Sequence, residues 1–265
     1  MTDAVIHQLY PAGVTAADLT DDDLLALYSP EAPLVSEAGS IRTGSRPYVR
    51  ANFISSVDGS ATAAGLSGEL GAPADKRVFD LLRQLSDVIL VGAGTVRDEG
   101  YGAMVLGADA ARWRVAHGRA EQPALAIVTG SLNLDPTSDV FTKAPVRPIV
   151  LTAENAAPER RAALQQVADV VDCGAQTVEP QRMVDALAER GLGRIHCEGG
   201  PTLFGALVQA DLIDSLCLTV SPSLEGGAGP RISRTHTALE LRAMTLDHVL
   251  LSGSMMLTQY SRDRG

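Results

Sequence analysis

The chain has 265 residues, 45% of them hydrophobic, enough apolar material for one large core or two small ones. Its formal net charge of -10 and pI near 4.9 set up a field that repels polyanions, which argues against a nucleic-acid or anionic-membrane partner. No apolar run approaches the ~18 residues of a membrane span, and Met1 to Tyr10 lacks a basic start followed by an apolar stretch, so the reading is cytoplasmic. Cys173, Cys197 and Cys217 stand singly in apolar, strand-like surroundings, with no Cys-x-x-Cys pair and no His at ligand spacing. They predict buried thiols and no metal site.

Residues 1 to 46 read as an arm appended to a main domain over 47 to 265. In the arm, Asp21-Asp22-Asp23 ahead of Leu24, Leu25 and Leu27 predicts a short amphipathic helix ending near Tyr28. Pro30, Pro33, Gly39 and Gly44 then mark a linker. Tyr48 to Ser55 alternates with a period of two and predicts a strand, running into the turn Ser55-Ser56-Val57-Asp58-Gly59-Ser60. A glycine-rich loop through Gly65, Gly68 and Gly71 leads to Pro73, which opens a helix whose Val78, Leu81, Leu82 and Leu85 share one face. Asp87 to Val91 is a continuous apolar run, the pattern of a strand covered on both sides in a parallel sheet, and Gly92-Ala93-Gly94-Thr95-Val96 follows at its carboxyl end. A dinucleotide fingerprint would place a third glycine at position 97, where Arg97 stands, so the Rossmann motif is excluded.

Residues 97 to 122 read as a surface excursion, with Arg112, Arg114, His117 and Arg119 on a solvated face. Leu125 to Val128 predicts a strand ending in Thr129-Gly130-Ser131, and Ile149 to Leu151 a further one ending in Thr152. A helix from Pro158 to about Val167, a strand from Asp169 to Asp172, and a helix from Pro180 to Arg190 stopped by Gly191 come next. Arg194 to Cys197 is a short buried strand, followed by Glu198-Gly199-Gly200-Pro201-Thr202 and a helix carrying Leu203, Phe204, Leu207 and Val208. Two glycines at the mouth of a helix let backbone approach an anion where free N–H groups and the helix dipole attract it. Leu216, Leu218 and Val220 alternate in a strand, and residues 244 to 250 and 255 to 260 predict an antiparallel hairpin closing one edge of the sheet.

The turns after these strands fall on one rim of a parallel-rich sheet, which gathers glycine cradles, hydroxyls and the carboxylates Asp58 and Glu198 into a site for a phosphate-bearing ligand. The chain carries no nucleophile elbow, no His-Glu-x-x-His, no Walker lysine and no zinc-deaminase pair.

The segments Arg50-Ala51-Asn52, Ser56-Val57-Asp58-Gly59, Ser67-Gly68-Glu69, Leu82-Arg83, Val91-Gly92-Ala93-Gly94-Thr95-Val96 and Glu198-Gly199-Gly200-Pro201-Thr202-Leu203, in that order, resemble the riboflavin-pathway pyrimidine reductase family in its stand-alone actinobacterial type. That family corresponds to the carboxyl-terminal half of the bifunctional riboflavin deaminase-reductase and is similar in fold to dihydrofolate reductase. The likeness covers roughly residues 48 to 260. It implies a dihydrofolate-reductase-like, mostly parallel α/β sheet with flanking helices and a C-terminal antiparallel hairpin. It also implies an NADPH-dependent homodimeric reductase of 5-amino-6-(5-phosphoribosylamino)uracil, acting at the ribose carbon.

By the same resemblance, Gly94 and Thr95 together with Gly199, Gly200, Pro201, Thr202, Leu203 and Phe204 would hold the cofactor's phosphates and ribose. Glu99 would sit near the cofactor, and Thr129 and Ser131 near its adenosine end. Asp58, Arg83 and Glu198 would face the substrate, with Asp58 and then Glu198 as the catalytic carboxylates. The chain departs from the family pattern where two aspartates, a proline and a later arginine would follow the threonine: it has Val96-Arg97-Asp98-Glu99, and Leu106 at the arginine's place. The tryptophan that often follows Ser-Gly-Glu is also absent, with Leu70-Gly71-Ala72 there instead. These departures leave two rival readings open, dihydrofolate reductase activity and a cofactor-binding protein without turnover.

Overall fold

The computed structural model describes residues 4–11, 18–30 and 46–262; Pro33, Gly39 and Gly44 of the expected linker lie outside the described residues. In chain order the elements begin with β1 (His7–Tyr10), α1 (Asp21–Tyr28), β2 (Tyr48–Ser56), α2 (Pro73–Gln84), β3 (Val88–Gly92), α3 (Ala93–Asp98) and α4 (Ala108–Ala116). There follow β4 (Ala124–Val128), α5 (Asp139–Thr142), β5 (Ile149–Thr152), α6 (Pro158–Gln165), β6 (Asp169–Asp172) and α7 (Pro180–Ala188). The last are β7 (Arg194–Cys197), α8 (Pro201–Gln209), β8 (Ser215–Ser221), β9 (Thr245–Ser252) and β10 (Met255–Ser261).

One ten-stranded sheet runs in the order β1-β9-β10-β8-β2-β7-β3-β4-β5-β6. From β8 through β2 to β6 every pairing is parallel, whereas β10 pairs antiparallel with β8 and β9, and β1 antiparallel with β9. The mostly parallel sheet with flanking helices and a C-terminal hairpin is thus present. The apolar runs of β3, β4 and β5 are buried because helices cover both faces, as their lack of alternation requires. On one face α7 and α8 pack Met183, Val184, Leu187, Leu203, Phe204 and Leu207 against Val49, Leu90, Ala126 and Leu151. On the other, Ile89, Val91, Leu125 and Ile127 meet Ala93, Val96, Phe141 and Leu164. All three cysteines are buried and free.

Three parts differ from the sequence reading. The hairpin does not close the edge, because β1 adds a further strand outside β9, with His7 opposite Leu251 and Gln8 opposite Leu250. The described part of the arm is packed into the fold as well: Ile6, Leu19, Leu24, Leu25 and Tyr28 join Val78, Leu81, Leu82 and Leu85 of α2 in one core. Arg77 of α2 ties this layer down through Asp21, 2.7 Å away, and the carbonyls of Ala4 and Leu19. An acid-rich helix start without long apolar runs shows a short helix; it does not show what the helix covers.

The excursion after β3 contains α4, and Arg114 on it is fully buried, contrary to the solvated face expected. Its guanidinium donates to the carbonyls of Ala120 at 2.7 Å and Gln84 at 2.8 Å, and to that of Ser86, and Arg119 donates to Leu85 at 2.8 Å. These arginines satisfy carbonyls at and beyond the end of α2, a use that charge patterning does not reveal. Among the described residues no helix is long and apolar enough to cross a membrane.

Candidate active site

Strands β2, β7, β3 and β4 run parallel and adjacent, so their carboxyl ends share one rim. The chain leaves β7 at Glu198-Gly199-Gly200 into α8, and leaves β3 at Gly92 into α3. The two turns touch: the N–H of Gly92 donates to the carbonyl of Gly199 at 2.7 Å, and a Cβ on Gly92 would sit 3.5 Å from the nitrogen of Gly200. A Cβ on Gly200 would come within 2.7 Å of Thr95 Oγ1. Gly199 takes a φ of +87°, and a Cβ there would lie 2.9 Å from the Phe53 ring. Only glycine fits at this contact. The caps of both helices are glycines, so no side chain bonds their first N–H groups, and Pro201 sits in the first turn of α8. The arrangement leaves backbone donors and the positive end of α8 exposed at the rim, where an anion would be held without any cationic side chain.

Beside this cradle lies a buried cluster. Arg83, near the end of α2, clasps Glu198 with Nε to Oε1 at 2.6 Å and Nη2 to Oε2 at 2.7 Å. The Tyr101 hydroxyl donates to Oε2 at 2.6 Å, and His196 Nε2 stands 3.7 Å from Oε1, beyond a hydrogen bond. Burial alone would raise the Glu198 pKa, but the two Arg83 hydrogen bonds, its charge and the Tyr101 hydroxyl outweigh it, so the carboxylate stays ionised. Burial, then the neighbouring carboxylate, pushes Tyr101 well above the usual phenol range, so it remains a donor. His196 is driven down to about 3, chiefly by burial, and both ring nitrogens lack a partner, so it is a neutral imidazole at physiological pH. Arg83 also lies against the Phe79 ring, 4.2 Å from its centroid, which fixes the guanidinium plane.

Asp58, at the end of β2, is exposed and bound on both oxygens. It accepts from the Ser56 hydroxyl and from the N–H groups of Glu225 at 3.2 Å and Gly226 at 2.8 Å. The Ser56 bond first, and the two N–H groups after it, hold its pKa at about 2. It is therefore ionised, able to accept or orient but not to donate a proton at neutral pH. The same loop is knitted to the long connection 222–244 by Val57 N–H to Ser223 at 2.9 Å and Ala61 N–H to Pro230 at 2.7 Å.

Over residues 47–258 the chain matches the RibD C-terminal domain family. The chain belongs to this family. Its relatives in the RibD C-terminal domain family include 2,5-diamino-6-ribosylamino-4(3H)-pyrimidinone 5′-phosphate reductases. The one from Archaeoglobus fulgidus is 28% identical over 69% of this chain and 83% of that protein, and the one from Methanothermobacter thermautotrophicus 30% identical over 70% and 82%. Among solved structures, a pyrimidine reductase-like protein from Corynebacterium diphtheriae superposes with a TM-score of 0.77 at 29% identity, covering 83% of this chain and 93% of that one. The kinship is thus with oxidoreductases of riboflavin-pathway pyrimidines, as the sequence motifs implied.

The remaining expected RibD C-terminal domain residues divide by what they can reach. Gly94 and Thr95 lie in α3 and Gly199 to Thr202 lead into α8, the two turns that meet at the rim. Leu203 and Phe204 are core side chains, Phe204 packing on Phe53 with centroids 4.6 Å apart. Glu99 accepts from Ser67 N–H at 2.8 Å and tethers the Gly65–Gly71 loop. Thr129 Oγ1 accepts from Leu132 N–H at 3.0 Å, shaping the turn after β4, while Ser131 stays exposed beside it. Tyr101 and His196 were not singled out from the sequence. A tyrosine between two glycines in an irregular stretch and a histidine inside a buried strand carry no spacing signal, and only the fold brings them to Glu198.

Proposed function

We propose that the protein is a cytoplasmic, NADPH-dependent reductase of a small pyrimidine resembling 5-amino-6-(5-phosphoribosylamino)uracil, converting its ribosylamino group to the open ribitylamino form. The observation that carries the reading is the pair of glycine-capped turns in contact at the rim, one Gly92 to Gly199 hydrogen bond apart, beside a clasped Arg83–Glu198 pair. The cradle fits a dinucleotide: backbone N–H groups at the start of α8 with the Thr95 hydroxyl suit a diphosphate on an acidic protein, and no Cβ obstructs it. When bound, NADPH would supply the hydride for the sugar carbon.

The chain's own groups divide the rest of the work. Arg83 spends Nε and Nη2 on Glu198 and keeps Nη1 for a substrate oxygen; Glu198 serves to hold that guanidinium in place. Tyr101 and Arg83 are the protonated groups on this side, and Asp58 is an ionised acceptor that can orient a hydroxyl or ring N–H. Leu106 is buried in the core with its N–H on Gln122 at 2.8 Å, so it takes no part in holding a substrate phosphate. That observation keeps dihydrofolate, which has no such phosphate, as a second substrate to be assayed.

We also assign a homodimer. Leu218 and Val220 of β8, Val249 and Leu251 of β9, and Met256 of β10 share the sheet face opposite Cys217, Leu250 and Leu257, outside the packed clusters. An uncharged strip of this kind is self-complementary about a two-fold axis and suits a second copy of the chain.

Absorbance at the reduced nicotinamide band, followed after adding the phosphoribosylaminouracil or dihydrofolate separately, tests the reading. Consumption with the pyrimidine is the expected outcome, and consumption with neither defeats it. Asp58→Asn should cut turnover while NADPH affinity stays within about threefold; equal loss of both would remove Asp58 from the substrate side. Light scattering should give twice the chain mass, and a monomer for Val249→Glu.

A further inference from the structure

A hollow of about 260 Å³ opens between the turn after β4 and the first turn of α6. Leu132, Leu134, Pro136 and Ala163 give it an apolar lining, with Asn133, Glu159 and Arg160 as its polar members. It stands on the same rim as the cradle. Strands β3, β4 and β5 are consecutive neighbours, so the hollow lies one to two strand spacings from α3, roughly 5–10 Å along the rim. That is the reach of a ribose from a diphosphate.

Two guanidiniums flank the hollow, each anchored by a single N–H. Arg160 Nη1 donates to the Ser131 carbonyl at 3.0 Å, and Arg97 Nη1 to the Asn133 carbonyl at 2.9 Å. Neither has a carboxylate partner among the described residues, whereas the exposed arginines Arg112, Arg147 and Arg182 each have one. Both side chains are exposed with most of their N–H groups free. In a chain of net charge -10, two unpaired guanidiniums held at one apolar slot, with Glu159 the single carboxylate in its lining, make a local positive site.

We infer that Arg160, with Arg97 at the far lip, binds a phosphate on the ribose 2′-hydroxyl of the cofactor, whose adenosine end the family likeness already implies beside Thr129 and Ser131 at this same hollow. The inference rests on the nicotinamide-cofactor reading above and adds to it the residues that select NADPH over NADH. The apolar lining suits the faces of an aromatic base, Asn133 can bond its edge, and the guanidinium forks match phosphate oxygens in geometry. Glu159 is the competing group, because a carboxylate at this place accepts from a free 2′-hydroxyl and would favour NADH.

The test uses fragments that lack the nicotinamide. Titration calorimetry with 2′-phosphoadenosine 5′-phosphate and with 5′-AMP is run on the unaltered chain, Arg160→Gln and Arg182→Gln, the last an exposed control for net charge. The unaltered chain and Arg182→Gln should prefer the 2′-phosphorylated fragment; Arg160→Gln should bind it about tenfold to a hundredfold more weakly and hold 5′-AMP within about twofold. Full-length NADPH binding separates the two readings. If NADPH binds the unaltered chain and Arg160→Gln equally, or if 5′-AMP is preferred, the arginine assignment is overturned while the cofactor reading stands. If the unaltered chain binds no NADPH at all, both are overturned.

Discussion

Glu198 is the residue on which the site turns, and its surroundings decide what it can do. Three hydrogen bonds from Arg83 and Tyr101 occupy most of its acceptor capacity, and only 1% of its side chain is exposed, against 19% for Arg83. A carboxylate so engaged positions a cation, and about one acceptor site is left over. Replacing Glu198 with Gln would leave the largely buried Arg83 charge without its partner, which is destabilising on the order of 3 kcal/mol. The urea midpoint of Glu198→Gln should fall accordingly, and Tyr101→Phe, which removes one hydrogen bond, should cost about 1 kcal/mol. A midpoint for Glu198→Gln equal to that of the unaltered chain would show that the pair carries no net stability.

The sequence made Glu198 visible through its glycine-proline context, and Arg83 through family likeness. It did not disclose that they bind each other, since Arg83 lies on a helix whose spacing fits a solvated face equally well.

At the scale of elements, the cradle depends on how the long connection 222–244 meets α8. Gly205 is buried in the middle of that helix, and a Cβ there would run into the Arg234 carbonyl and stand 3.0 Å from Thr235 Cγ2. Arg234 N–H in turn donates to the Pro201 carbonyl at 2.9 Å, at the helix start where backbone donors face the rim. Alanine is a better helix former than glycine by about 1 kcal/mol, but forced displacement of packed backbone costs about 1–3 kcal/mol, so the clash prevails. Gly205→Ala is therefore expected to lower stability and weaken NADPH binding together, measured by thermal unfolding and calorimetry; a stabilised variant would mean that the connection yields freely.

The elements themselves were largely legible: strands β2 to β8 read from apolar runs and alternation, and helices α2, α6, α7 and α8 from their prolines and spacing. What escaped was held by tertiary contacts. Helix α4 has no apolar stripe and is fixed by the buried Arg114, and β1, His7-Gln8-Leu9-Tyr10, offers neither an apolar run nor a clear alternation.

For the whole molecule, the described part of the arm matters most. Ile6, Leu19, Leu24, Leu25 and Tyr28 are all buried, and at about 1.5–3 kcal/mol for each large apolar side chain their loss removes on the order of 10 kcal/mol, comparable to the stability of an entire domain. A chain starting at Arg46 should be insoluble or should bind a hydrophobic dye as a partly folded species. A cooperative unfolding transition close to that of the full chain would return the arm to the status of an appendage. The sequence suggested the appendage because a short acid-rich helix followed by a run marked by prolines and glycines reads as an arm and linker, and neither feature shows what the helix packs against.

The order of strands also governs how the protein comes into being. Strand β2 lies at the centre of the sheet, yet its neighbours are β7, where Tyr48 faces Arg194, and β8, where Arg50 faces Ser215. At about 5–20 residues per second, a ribosome that has just extruded β2 needs on the order of ten seconds more to deliver either partner. Strands β3 to β6 meet in sequence order and can assemble meanwhile. During that interval Val49, Ala51, Phe53 and Ile54 wait without their strand partners, and a central strand paired only with distant segments slows folding relative to a sheet built from sequence neighbours.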